Sequence, residues 1–422
     1  MTKTQDLTAE QKEAVLNRVL RVLDEKFYQP EKLDNGWKDA IARHRPAIID
    51  ASTAAAFEEA VTRLLEELKT SHVGFFHGSA RRTSSRAALS ATYLADDTDE
   101  GRRWIFQDVH PGGAASLAAI EPGDILLRVG AEEIIPPTHP TFPMGKTTEL
   151  TVLTAEGEER TRSVTVARPK GKKLHYVEPK LVVGNRLRDG IGYLKVAMFP
   201  GMVGVEVANE ISSQMEQLGN VEHLIIDLRG NTGGGIGALR VMSLLTPKQI
   251  PVGFALDRKS AQQNVAGAKN SFRRFNRIPA SKKRLWLLAL RYATALVKKT
   301  PIVLETEALG DKPFHGRIVL LVDRHTASAA EMIVAFAREN SLATIVGEKT
   351  AGRLLSATSA KVGYGYRLAF PTGAYYTWKG SVLEGTPIEP DESVAFEWRE
   401  ARRGNDPQLK HSIELLEKTL TR

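Results

Sequence analysis

Ser328 heads the stretch Ser328-Ala329-Ala330-Glu331, directly after the apolar run Arg317-Ile318-Val319-Leu320-Leu321-Val322 and the turn Asp323-Arg324-His325-Thr326-Ala327. The run predicts a buried strand, and the periodicity from about Ser328 to Asn340 predicts a helix. A hydroxyl at the first turn of a helix lies near the positive end of the helix dipole, where a developing oxyanion is stabilised. That placement suits acyl transfer by a serine nucleophile. Serine is also a preferred helix cap, so this segment taken alone leaves plain capping as the ordinary alternative. A second strand-turn-helix unit pairs His223-Leu224-Ile225-Ile226-Asp227-Leu228 with a glycine-rich turn and a helix starting near Gly237. Its Gly233-Gly234-Gly235-Ile236-Gly237-Ala238 formally fits a dinucleotide fingerprint, with Asp257 downstream. Arg229-Gly230-Asn231-Thr232 lengthens a turn that such a site needs tight, so the match is read as a decoy.

Composition removes other chemistries. The 422 residues include no cysteine, which excludes thiolate nucleophiles, disulfides and Cys-ligated zinc. No H-E-x-x-H occurs and no histidine pair has zinc spacing, so neither metal nor cofactor is expected. Hydrophobic residues at 42% and charged residues at 26% are ordinary for a globular protein, and the length predicts two or three folded units. The net charge of +8 is local: Arg258 to Lys299 holds twelve Lys and Arg and no Asp or Glu. A basic insertion is therefore expected, and no nucleic-acid partner. Within it, residues 282–299 are basic at both ends and rich in Leu and Trp, a pattern that fits an anionic membrane surface or packing on the core or on a second subunit. No apolar run reaches the ~18 residues of a membrane span. The first twenty residues carry no signal-peptide pattern, so the chain as given is expected in the cytoplasm, or in the periplasm or outside the cell if a signal sequence was removed.

The elements that must hold these residues follow from periodicity. Thr8-Ala9-Glu10-Gln11 fits a capping box and opens a helix to about Tyr28, with further helices at 36–49 and 52–68, so that Ser71-His72 stands at a helix exit. Residues 90–170 turn to short β-like runs broken at Pro111-Gly112-Gly113 and Pro122-Gly123-Asp124. The segment from His110 to Leu126 resembles the bacterial PDZ pattern, in which a peptide C-terminus is bound by strand addition. From about 180 strands and helices alternate, giving an α/β class.

Four segments occur in order: Asp227 to Gly235, Thr326 to Glu331, Val346-Gly347-Glu348-Lys349-Thr350-Ala351-Gly352-Arg353, and Glu384-Gly385-Thr386-Pro387-Ile388-Glu389-Pro390-Asp391. Together they resemble the C-terminal processing, or tail-specific, serine peptidase family, including its tricorn-core-like branch, over nearly the whole chain. With the periodicity, the resemblance implies an N-terminal helical domain at 1–78, a PDZ-like domain at 88–170, and a crotonase-like (ClpP-like) α/β core at 175–257 and 301–400. A basic helical insertion at 258–300 and a C-terminal helix at 401–422 complete the expected organisation.

The same resemblance implies Ser328 as nucleophile, with an oxyanion hole from the Ala329 amide and an amide of the Gly233-Gly234 turn. Ser/Lys members of the family place a lysine 25 positions after the serine and a glutamine four further on; here Arg353 and Ala357 stand there. Arginine cannot surrender a proton near neutral pH, and Lys349 matches a position that the family does not use. The tricorn-like branch implies instead His72 as base, with Ser71 and Glu384 completing a charge relay. His325, on the same turn as Ser328, is the rival base, and Glu389 and Asp391 are lesser carboxylate candidates. The expected activity is an endopeptidase acting on unfolded or extended polypeptides through an acyl-enzyme, the PDZ-like domain assisting recognition of the substrate C-terminus. A catalytically inactive peptide- or ligand-binding protein of the same fold is the rival reading, and a homo-oligomer is left open.

Overall fold

A computed structural model describes residues 6–78, 82–166, 180–188, 190–262, 269–270, 272–285, 287–288, 290, 292, 300–309 and 314–418. The fold is α/β. Its central sheet runs in the order Val182–Arg188, Ile191–Val196, His223–Asp227, Arg317–Val322, Thr344–Gly347 and Glu392–Ser393. The first pair is antiparallel and the others are parallel. Parallel strands need both faces covered, and alternation along His223–Asp227 does this. Leu224 and Ile226 share a core with Val207 and Ile211 of the helix Val205–Leu218 and Ile333 of the helix Ala329–Glu339. Ile225 faces the other way, with Val319 and Leu321, onto Leu416 of the helix Pro407–Glu417.

A second sheet orders Gly74–His77, Tyr366–Thr377, Pro251–Asp257, Ile302–Glu305 and Arg273–Phe275, with Leu355–Gly363 also paired to Tyr366–Thr377. The N-terminal helices Ala9–Lys26, Asn35–Ile49 and Ala54–Glu66 lie on it. Thr8, Asp34 and Thr53 each cap one of these helices through the side chain, as the Thr8 box predicts for the first. Their apolar faces share one core with Leu355, Val362, Leu368 and Phe370, so the N-terminal unit has no core of its own.

The β-rich unit is a sheet of Ala91–Thr98, Gly101–Val109, Ile125–Val129, Thr147–Leu153 and Glu159–Thr165 with its own core and the short helix Ala114–Leu117. It is tied to the central sheet by a buried ion pair between Lys195 and Asp108 at 2.8 Å. Lys195 also faces Asp227, which Arg229 bridges to Asp406 of the C-terminal segment. Burial alone would raise the Asp227 carboxyl, but Arg229 and Lys195 outweigh it and hold the group below the usual carboxylate range.

Two expectations are corrected. The C-terminal helix does not run through 401–422: Trp398–Ala401 ends before Gly404, which has φ +74°, and a new helix starts at Pro407 under an Asp406 cap. The insertion at 258–300 is not wholly helical, since Arg273–Phe275 joins the second sheet as a strand. Within 282–299, Leu285, Leu288 and Tyr292 pack on the main core, whereas Leu287 and Leu290 face solvent. Trp286, Ala289, Arg291 and 293–299 lie outside the described residues. Among the described residues, no helix is long and apolar enough to cross a membrane.

Phe57, 1% exposed, sets its ring against Phe75 at 5.6 Å and Tyr366 at 5.3 Å between centroids, joining helix and sheet. Phe57→Ala is expected to cost about 3–5 kcal/mol, read as a lowered urea midpoint; an unchanged midpoint would contradict a shared core.

Candidate active site

Ser328 sits where the strand Arg317–Val322 gives way to the helix Ala329–Glu339, with φ +56° and ψ −123°. A side chain in that region is strained by about 1–3 kcal/mol, so the surroundings must hold it. The turn before it is fixed by buried Asp323, which accepts from the amides of His325, Thr326 and Gly230. From the far side, the Ser328 amide donates to the Arg353 carbonyl at 2.9 Å and to Glu331 Oε2 at 3.1 Å.

Glu331 carries no sequence signal of a catalytic role, yet its fully buried carboxylate organises this corner. It also accepts from Thr350 Oγ1 at 2.6 Å, the Gly352 amide at 2.7 Å and the Arg353 amide at 2.9 Å. It thereby clamps the strap Thr350–Arg353 to the Ser328 turn. Its spacing from Ser328 is that of a capping box, which is the one local signal for it.

The glycine turn lies against Ser328. A Cβ on Gly233 would stand 2.6 Å from the Ser328 Cβ and 2.7 Å from the Ala329 nitrogen, and one on Gly234 would strike the Phe199 carbonyl oxygen. The Gly233 amide, one of the two expected donors in this turn, is taken: it donates to Asn231 Oδ1 at 2.8 Å. Asn231 is held in turn by donating to the Val196 carbonyl. The Gly234 and Ala329 amides have no hydrogen-bond partner among the described residues.

Ser71, His72 and Glu384 come together although the histidine and the glutamate are 312 positions apart in the chain. Ser71 Oγ is 2.6 Å from His72 Nδ1 and donates to Glu384 Oε2 at 2.8 Å. Because the hydroxyl has one proton and gives it to the carboxylate, it accepts from Nδ1–H. The neutral imidazole thus carries its proton on Nδ1, which leaves Nε2 as an acceptor. Glu384 also accepts from Thr70 Oγ1, the Ser71 amide and the Leu354 amide, the last at 3.1 Å. His72 has φ +61° in the link between the helix Ala54–Glu66 and the strand Gly74–His77. Burial lowers its pKa; the Glu384 charge pulls it back up and Arg353 pushes it down, for a net lowering. No hydrogen bond joins His72 Nε2 to Ser328 among the described residues; in resting enzymes such bonds are often long.

The rivals are occupied elsewhere. His325 Nε2 donates to the Tyr93 carbonyl of the β-rich unit at 2.9 Å. Asp391 accepts from Arg338 and the Ile345 amide, and Lys349 is exposed. No group of three His, Asp or Glu that could hold a metal occurs among the described residues.

Residues 190–394 match the model of Peptidase family S41. The chain is 24% identical over 428 residues to the tricorn protease homolog 2 of Streptomyces coelicolor, covering 94% of this chain and 32% of that protein. It is 25% identical over 236 residues to the carboxyl-terminal-processing protease of Synechocystis sp., covering 55% of this chain and 45% of that one. The chain thus spans a third to under half of the length of these relatives. Among solved structures, the photosystem II D1 C-terminal processing protease aligns with a TM-score of 0.54 at 16% identity, over 94% of this chain and 98% of that one, a likeness of fold.

Glu331→Ala leaves the Gly352 and Arg353 amides and the Thr350 hydroxyl without an acceptor, and leaves the Ser328 amide only the Arg353 carbonyl. Each such group costs about 1–3 kcal/mol, so a fall in thermal midpoint larger than that of Phe57→Ala is expected, with Glu331→Gln in between. A Glu331→Ala protein as stable as wild type would show that the clamp does not hold the strap.

Proposed function

We propose that the chain is a serine-type peptidase with Ser328 as nucleophile and His72 as general base. The observation that carries this reading is the relay Glu384–Ser71–His72, which fixes the imidazole tautomer and leaves Nε2 without a hydrogen-bond partner among the described residues. In the reaction, Nε2 takes the Ser328 Oγ proton as Oγ attacks the peptide carbonyl carbon. The oxyanion is held by the Gly234 and Ala329 amides at the start of the helix Ala329–Glu339. The imidazolium gives its proton to the leaving amine, and Ser71 passes the stabilising effect of Glu384 to the ring. Water activated by the same nitrogen then hydrolyses the acyl-enzyme. The match to Peptidase family S41 and the relatives' names support this class of reaction.

The proposal extends to unfolded or extended polypeptides as substrates, a crotonase-like core and a PDZ-like role for the β-rich unit. Among the described residues its strand Ala91–Thr98 is an edge strand paired with Gly101–Val109 alone, a feature that suits a peptide C-terminus added as a strand.

Ser328→Ala is expected to abolish both cleavage of a denatured protein and labelling by a fluorophosphonate. His72→Ala should lower kcat/KM by about 10²–10⁴. Absence of both activities from the wild type would favour the rival, a binding protein that keeps the fold.

The base must be neutral to act, so kcat/KM falls as pH drops through the His72 pKa. Because that pKa is lowered, the acid limb is expected below ~6.5. Glu384→Gln removes the charge that raises it and should move the limb lower still, together with a loss of kcat. An acid limb above ~6.5 in the wild type would contradict His72 as the base.

A further inference from the structure

Arg353 is the exposed residue of the strap beside Ser328. Its carbonyl accepts from the Ser328 amide at 2.9 Å and its own amide is fixed by Glu331, so its Cα has little freedom. Leu354, the next residue, is 4% exposed and tied through its amide to Glu384, so Arg353 projects from a rigid base on the side of the strap that faces solvent. Its guanidinium makes no hydrogen bond or ion pair among the described residues. The two nearby carboxylates are not available to it. The oxygens of Glu331 accept from Ser328, Thr350, Gly352 and Arg353 amide or hydroxyl groups, and those of Glu384 from Thr70, Ser71 and Leu354. The positive charge is nonetheless close enough to be felt at His72. Exposed Arg353 thus springs from the strap whose carbonyl meets the Ser328 amide and whose next amide, that of Leu354, meets Glu384 of the His72 relay.

We infer that Arg353 is a substrate-binding residue that selects peptides carrying a carboxylate close to the scissile bond. The inference rests on the peptidase reading above. Arginine is suited to this because its planar fork matches a carboxylate with two parallel hydrogen bonds. The carboxylate comes either from an Asp or Glu side chain or from the α-carboxylate of a substrate that ends just past the cleaved bond.

A neutral fluorogenic peptide that the wild type cleaves serves as parent. Glu, Gln or Lys replaces each residue flanking the cleaved bond in turn, and every peptide is made with a free and an amidated C-terminus. kcat/KM is measured for wild type, Arg353→Ala and Arg353→Glu, and the ratio of Glu to Gln peptide is taken within each protein, so that a general loss of activity cancels. The wild type is expected to favour Glu over Gln at one position by about fivefold, the factor that an exposed charge pair is worth. Arg353→Ala should bring that ratio to about one, and Arg353→Glu should transfer the advantage to Lys. An advantage that follows the free C-terminus and not the internal Glu assigns the α-carboxylate as the group bound. No carboxylate advantage in the wild type, or one that survives in Arg353→Ala, overturns the inference and leaves the peptidase reading intact. A wild type that cleaves no peptide and takes no fluorophosphonate overturns both.

Discussion

Burying a carboxylate is costly unless donors replace the water it loses, and two carboxylates rich in such donors, buried Glu331 and half-buried Glu384, hold this site together. Glu331 and Glu384 bind consecutive amides of one strap, those of Arg353 and Leu354. Glu331 looks toward Ser328 and Glu384 toward Ser71 and His72. The strap is therefore the ruler that sets the proposed nucleophile against the proposed base, which arrive from opposite ends of the chain. Both Ser328 and His72 have positive φ, and neither backbone would persist there without this web of acceptors. Strain and its restraint are located in the same few residues.

The second layer is electrostatic. Asp227 ends the central strand below the glycine turn and meets Arg229, Lys195 and Tyr193 out of water. Such clusters contribute less to net stability than their Coulomb energy suggests, since desolvation offsets much of the gain. Their value here is geometric. Arg229 reaches the C-terminal segment through Asp406 and Gln408, and Lys195 reaches the β-rich unit through Asp108. Three parts of the chain are thus registered on one buried charge cluster next to the turn that carries Gly233 and Gly234.

Local pattern reveals what local physics decides. The Thr8 box, the strand-turn-helix units at Asp227 and Ser328, and the bends at Gly112 and Gly123 are written in neighbouring residues and are legible from the amino-acid order alone. Pairings between distant segments are not. Nothing near residue 360 announces that Leu355–Gly363 and Tyr366–Thr377 supply the floor for the N-terminal helices. The strand Arg273–Phe275 hides in a run whose charge dominates its pattern. In the site, Ser71, His72 and Glu384 can be named from sequence only through a family resemblance, because their meeting is a property of the folded chain. Glu331 has the pattern of a polar position on an amphipathic helix, and its burial follows from the strap that covers it. The occupied amide of Gly233 is equally hidden, because sequence cannot show the Asn231 side chain turning back on it.

The shared core of the N-terminal helices and the strands after residue 355 has a consequence for biosynthesis. Contacts of such long sequence separation form late, because the chain between them must first be made and closed into a loop. The N-terminal helices leave the ribosome with an apolar face and nothing to cover it until the strands after residue 355 have followed. Ser328 likewise emerges before Glu384, and the imidazole has no orienting carboxylate until then. A nascent chain of this protein therefore carries an exposed apolar face until those strands are made, the condition in which incomplete chains associate. The topology itself delays the meeting of Ser71, His72 and Glu384 until the segment carrying Glu384 has been delivered.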